Sequence, residues 1–174
     1  FVAGMLRDCI KSRDLIPAKR ALKSLDYNTL LLLAGLFTVI AGITRVGVID
    51  DISALFVHLG GDSLFVTYTL IVWLSVLLSA FIDNIPYVAA MLPVVSRVAT
   101  ALGTDPTILC LGLLTGATLG GNLTPIGASA NIAAGGILRK EGYEVTNRQF
   151  MQIGAPFTLT AVTVGYVLIW LIYA

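Results

Sequence analysis

The sequence predicts an all-α membrane protein in which two helical stretches are interrupted within the apolar layer. Three observations lead there. Of 174 residues, 57% are hydrophobic and 12% charged, where soluble domains carry about 45–50% and about 25%; the mean hydropathy is +0.90. Apolar runs at Thr29–Ile43, with its flanks, and at Phe157–Tyr173 are long enough to span. Two further oily stretches are broken by Asp83-Asn84-Ile85-Pro86 and by Asn122-Leu123-Thr124-Pro125. A net charge of +1, with no basic patch interleaved with aromatics, gives no nucleic-acid footprint, so no such partner is expected. Cys9 and Cys110 make neither a metal spacing nor an obvious pair. With no nucleophile–base pair or metal cluster in view, neither an enzyme nor a cofactor is expected.

Residues 1–26 read as a basic interfacial arm, with six Lys/Arg from Arg7 to Lys23 and loosely recurring apolar positions. The chain starts at Phe1, and FVAGML resembles the tail of an apolar helix without signal-peptide features. A C-terminal part of a longer polytopic protein is therefore expected, the alternative being a complete small membrane protein. Residues 27–62 hold a span, Tyr27–Thr44, and a second interfacial helix, Val46–Gly61, which carries Asp50, Asp51 and His58 and stops at Gly60-Gly61. His58 reads as an interface residue.

Residues 63–102 run apolar into Asp83–Pro86 and resume at Tyr87, with Pro93 as a kink. Residues 106–138 form a broken span. Its first piece, Thr107–Gly121, has 15 residues, about 22 Å of helix against a hydrocarbon core of about 30 Å. The unwound Gly121–Asn131, GNLTPIGASAN, comes next. Arg139–Arg148 is a polar loop, and residues 149–174 are the last span.

Charge supports this layout. With the Arg7–Lys23 arm cytoplasmic, the acidic Val46–Asp62 segment falls outside, and a single broken crossing of Thr107–Leu138 returns Arg139, Lys140 and Arg148 inside. For Asp83–Pro86 charge parity admits two arrangements, a re-entrant hairpin or a tight turn between two full spans. The absence of Lys or Arg within ten residues favours the hairpin. Arg45 and Arg97, near span ends, are expected to snorkel to the interface, with anion binding by Arg97 as a lesser alternative.

Both interruptions share a chemistry. Proline suits the first turn of a helix, so each cluster can begin a half-helix, with Asp83, Asn84 or Thr124 capping its amides. Half-helix ends inside a membrane, with unwound carbonyls beside them, are how many secondary carriers bind ions. A charged Asp83 at mid-bilayer would cost roughly 2.5–3.5 kcal/mol, and a proton or a cation would neutralise it. Candidate ion or substrate residues are Asp83, Asn84, Gly121, Asn122, Thr124, Gly127, Ser129 and Asn131, with a sodium site at Asn84, Asn122 and Thr124. Gly112, Gly116 and Gly120 recur every four residues as a small-residue packing face; Gly120, with Gly121 and Gly127, also flanks the break, where close approach to an ion is expected. Asn122-Leu123-Thr124 fits a glycosylation sequon, but its apolar setting and Pro125 make that a chance match.

FIDNIPYVAAMLPVV, GATLGGNLTPIGASANIAAGGI and GYEVTNRQFMQIGAPFTLTAVTVG, in this order, resemble the C-terminal part of the ion transporter superfamily. The similarity, over about Leu25 to Ala174, is to the arsenical-pump and P-protein branch, often called citrate-transporter-like. It implies half of an inverted-repeat transporter with a re-entrant helical hairpin tipped by Asp83–Pro86 and a discontinuous helix unwound over Gly121–Asn131. It also implies an N-terminal repeat of the same protein as partner, a homodimer in the bilayer, elevator-like motion, and sodium or a proton as coupling ion. Related sodium-coupled dicarboxylate carriers have Ser-Asn-Thr at the tip. Asp83-Asn84-Ile85 lacks those hydroxyls and adds a negative charge. The expected function is ion-coupled transport of an anion or oxyacid, such as arsenite or a carboxylate, by symport or antiport; alternatives are a sodium/proton antiporter and a non-transporting scaffold subunit.

Overall fold

The computed structural model describes residues 27–174, and among them every regular element is helical. These are α1 (Tyr27–Arg45), α2 (Val48–Gly60), α3 (Leu64–Ser79), α4 (Asn84–Ala101), α5 (Thr107–Gly120), α6 (Ser129–Lys140) and α7 (Asn147–Tyr173). The chain divides into two compact units, Phe1–Val39 and Ile40–Ala174. In the first, residues 27–39 are the opening part of α1; the second holds the end of α1 and helices α2 to α7. The basic arm expected over residues 1–26, with Cys9, lies outside the described residues.

Among the described residues α7 alone is long and apolar enough to cross a bilayer by itself, with 27 residues, or about 40 Å. The apolar α3 and α5 have 16 and 14 residues, about 24 and 21 Å, short of a hydrocarbon core of about 30 Å.

The pairing of these two short helices organises the core. Gly112, Gly116 and Gly120 of α5 face α3 turn by turn. A Cβ on Gly112 would stand 2.6 Å from the Tyr68 ring, one on Gly116 2.4 Å from the Val72 carbonyl oxygen, and one on Gly120 2.7 Å from that of Val76. The matched register makes α3 and α5 parallel and stops them at one level. Tyr68, Ile71, Val72 and Val76 pack there with Leu109, Leu113 and Ala117. Gly120 serves helix packing: its missing side chain makes room for the backbone of α3.

Helix α7 runs the opposite way. Gly154 lies against the Asn122 carbonyl and Gly165 against Thr115, Tyr166 stacks on Tyr68 at 5.1 Å, and Trp170 meets Phe65 edge-on. The Tyr68 hydroxyl donates to the Tyr166 carbonyl at 2.9 Å. Helix α4 packs on α5 and α2 and meets α3 through the Tyr87 and Ser75 hydroxyls, 3.0 Å apart; Pro93 lies inside it. Helix α2 packs on α4 through Ile49, Ser53 and Phe56, and the Ser53 hydroxyl reaches the Val94 carbonyl at 3.3 Å. Arg97, expected to snorkel to the interface, pairs with Asp50 of α2. Both side chains are about half exposed, so the pair contributes about 0–1 kcal/mol.

Two measurements can check this packing. Gly116→Ala drives a Cβ into a backbone carbonyl and is expected to cost about 1–3 kcal/mol in thermal unfolding of the purified full-length protein. Gly135→Ala, with open space around it, should be neutral or slightly stabilising. In the α4–α5 turn, hydrogen bonds from Thr107 hold the exposed Asp105 carboxyl below its ordinary value. Its contribution is present above the unfolded-state pKa and fades as pH falls through the depressed one; an NMR titration of this carboxyl should show the lowered midpoint.

Candidate functional site at the paired helix breaks

The first break comes after Ser79. The N–H groups of Phe81 and Ile82 turn back to the Leu78 carbonyl at 3.1 and 3.0 Å, and α4 begins at Asn84 with Pro86 in its first turn, where a missing N–H costs no helical bond. The second break comes after Gly120. Leu123 N–H bonds the Gly120 carbonyl at 2.9 Å, and Gly127 N–H bonds that of Thr124 at 3.3 Å. Thr124-Pro125-Ile126-Gly127 is thus a β-turn with proline at its second position, as such turns favour. Helix α6 accordingly starts at Ser129, after an extended Ala128, and not at Pro125 as the sequence suggested. The proline is spent on the turn that brings Gly127 back to the break.

Because α3 and α5 end at one level, the breaks interlock. A Cβ on Gly127 would lie 2.6 Å from the Gly121 carbonyl oxygen and 2.9 Å from those of Ser79 and Ala80. One on Gly121 would lie 2.5 Å from Asn84 Oδ1 and 3.0 Å from the Gly127 carbonyl oxygen. Five oxygens thus converge on two glycines that no side chain fills. The Thr124 hydroxyl donates to the Ala80 carbonyl, and Asn131 Nδ2 donates to the carbonyls of Gly121 and Thr124 at 2.9 and 3.2 Å. Ser79 Oγ lies 2.6 Å from the Ala117 carbonyl oxygen and 2.8 Å from Asn84 Oδ1. One hydroxyl proton serves one of these at a time; with the shorter contact taken by Ala117, Asn84 Oδ1 can still accept a donor or coordinate a cation.

Asp83 stands at the edge of this cluster. Its Oδ2 accepts from the backbone N–H of Ser129 at 3.2 Å and from the Ser129 hydroxyl. The carboxylate of the first break thereby caps the helix beyond the second, where the dipole favours negative charge. It makes no side-chain cap bond to its own helix α4, the role the sequence left open for it.

Of the eight sequence candidates, Asn84, Gly121, Thr124, Gly127 and Asn131 meet in the cluster, and Asp83 and Ser129 join at its edge. Asn122 departs from the expected trio with Asn84 and Thr124. It lines a cavity of ≈ 690 Å³ with Tyr143, Gln149, Phe150, Gly154 and Phe157, and among the described residues its side chain bonds none of the others. Ser79 and the carbonyls of Ala80 and Ala117 were missed. Hydroxyls do stand at the breaks, those of Ser79, Thr124 and Ser129, each engaged with a protein oxygen. The signal for Ser79 was its four-residue spacing from Ser75, on the face of α3 that meets the glycines of α5.

Discontinuous helices whose ends meet at unwound chain recur in the sites of helical membrane transport proteins. The chain belongs to the Citrate transporter family, CitMHS, whose family model matches residues 12–106 and 88–174. It is 37% identical over 154 residues to an uncharacterized transporter of Mycobacterium tuberculosis, covering 87% of this chain and 36% of the relative. It is 34% identical over 154 residues to a 46 kDa membrane protein of Mycobacterium leprae, with the same coverage. The P protein of Mus musculus is 37% identical over 155 residues, covering 83% of this chain and 18% of that protein. The chain thus spans about a third of the length of its mycobacterial relatives. No solved structure matches it. It is part of a membrane transporter family, as its motifs indicated.

The Asp83–Ser129 contact gives a direct test. Asp83→Ala should loosen the first turn of α6 by about 1 kcal/mol, so that amides near Asn131 exchange about fivefold faster by hydrogen–deuterium exchange while those of α5 hold their rates.

Proposed function

We propose that this chain supplies one half of the transport site of a secondary, ion-coupled carrier, and that the oxygen cluster at the paired breaks binds the coupling cation. The observation that carries this is the convergence of the Ser79, Ala80, Gly121 and Gly127 carbonyls with Asn84 Oδ1 around two glycines. The carbonyl ends of α3 and α5 also bring their negative dipole ends to it. Oxygen donors of this kind suit a hard cation such as sodium. Asp83, held by α6, then acts first as the strut joining the two breaks, and its protonation would weaken that joint. In the same reading residues 63–102 form a re-entrant hairpin and residues 106–138 a broken span. Their interruptions are tolerated at depth because Gly121, Thr124 and Gly127 are buried against the first break. The length of α3, the Asp50–Arg97 contact and the charge layout support this multi-pass arrangement, with Asp50 and Arg97 on one side of the membrane.

The substrate in this proposal is an anion or oxyacid, a carboxylate such as citrate or neutral arsenous acid. An upstream inverted repeat supplies the other half of the site, and the working unit is a homodimer moving in the elevator manner. A sodium/proton antiporter is the second reading. It is favoured by one observation: among the described residues no Lys or Arg joins the cluster, so these side chains offer a cation oxygen ligands and an anion no charge.

Reconstituted full-length protein separates the readings. Citrate or arsenite uptake driven by a sodium or proton gradient is expected, with Asn84→Ala and Gly127→Ala lowering it more than tenfold. Sodium-dependent proton flux without solute uptake would establish the antiporter instead. Unchanged flux in both variants would remove the cluster from the transport site.

A further inference from the structure

The cluster has two cavities beside it, divided by a short rib. The larger, ≈ 690 Å³, is bounded by Asn122 and the first turns of α7. The smaller, ≈ 360 Å³, is bounded by Pro125, Ile126, Asn131 and Arg139. Glu144 and Val145 line both. The backbone fixes this rib from each end. On one side Gly142, at φ +86°, closes α6, with Gly142 N–H bonding the Arg139 carbonyl and Tyr143 N–H that of Leu138, a Schellman arrangement. On the other, Thr146 and Gln149 form a reciprocal capping box that opens α7. Glu144 is thus held between two set helix ends.

The larger cavity carries charge of one sign on a mainly apolar wall. Among the described residues Glu144 is the one charged side chain on its wall; Arg139 meets Glu144 only on the smaller cavity, and Lys140, Glu141 and Arg148 line neither. Its other polar groups are the amides of Asn122, Gln149 and Gln152 and the Tyr143 hydroxyl, and Phe150 and Phe157 supply aromatic wall. At about 30 Å³ per water, the space holds on the order of twenty waters, enough for a hydrated ion. A single sign of charge between low-dielectric walls raises the local concentration of the opposite ion. Asn122, whose backbone touches Gly154 of α7, belongs to both the cavity and the break.

We propose that this cavity is the vestibule through which the coupling cation reaches the paired breaks, and that Glu144 is the carboxylate that draws it in. This rests on the reading of the oxygen cluster as a cation site. Glu144 is a recruiting residue, so its loss changes the sodium concentration needed and not the maximal rate.

The test uses the full-length protein in proteoliposomes, in a cysteine-free background carrying Gln152→Cys on the cavity wall. A cationic trimethylammonium-ethyl methanethiosulfonate is expected to react faster than its anionic sulfonatoethyl counterpart, each normalised to its rate with a free thiol. Glu144→Gln should reduce that preference about fivefold, while Glu144→Asp retains it. In the parent protein, Glu144→Gln should raise the sodium concentration for half-maximal flux several-fold at unchanged maximal flux. A reagent preference that ignores Glu144→Gln, or that favours the anion, overturns the vestibule. Asn84→Ala should abolish flux and leave the reagent preference intact; if instead flux survives Asn84→Ala while Glu144→Gln still shifts the preference, the cluster assignment fails and the cation-attracting cavity stands.

Discussion

Everything at the candidate site depends on how closely α3 and α5 approach. Gly112, Gly116 and Gly120 leave no side chain between the helices, so the backbone of α5 rests on Tyr68, Val72 and Val76 of α3. In a bilayer there is no hydrophobic drive to bring helices together, and close backbone packing of this kind is a main source of association. The contact fixes register as well as distance. Two helices too short to span are made to end side by side, and their breaks must then share one space.

That shared space explains the polar groups at the breaks. Unwound chain packed between helices needs partners for its backbone, and each break supplies them to the other. Thr124 serves the Ala80 carbonyl, Asn131 the carbonyls of Gly121 and Thr124, and Asp83 the exposed amide of Ser129. Several of these residues are structural first. Their number still leaves oxygens over: around Gly121 and Gly127, among the described residues, there are more acceptors than protein donors.

Much of this was legible in the residues. Composition indicated a membrane protein, the glycine spacing a packing face, and the twin Asn/Pro clusters two breaks, because each of these is a local pattern with a local cause. The motifs around Asp83 and Asn122 identified the family. What could not be read was direction. Pro125 lies in a turn and not at a helix start, because Gly127 has to return to the Ser79 and Ala80 carbonyls. Arg97 meets Asp50 across 47 positions of sequence, and no spacing rule links them.

By itself the sequence determined that the chain is apolar and helical, where its helices break, and which small and polar residues stand at the breaks. Tertiary structure decided the rest: that Asp83 caps the helix of the other break, that Ser79 reaches Asn84 and the Ala117 carbonyl, and that Asn122 turns to the cavity beside α7. The physical reason is that periodicity and turn chemistry act over a few residues, whereas the partner of a hydroxyl or carboxylate here is set by the parallel register of α3 and α5, which brings together positions about 44 apart.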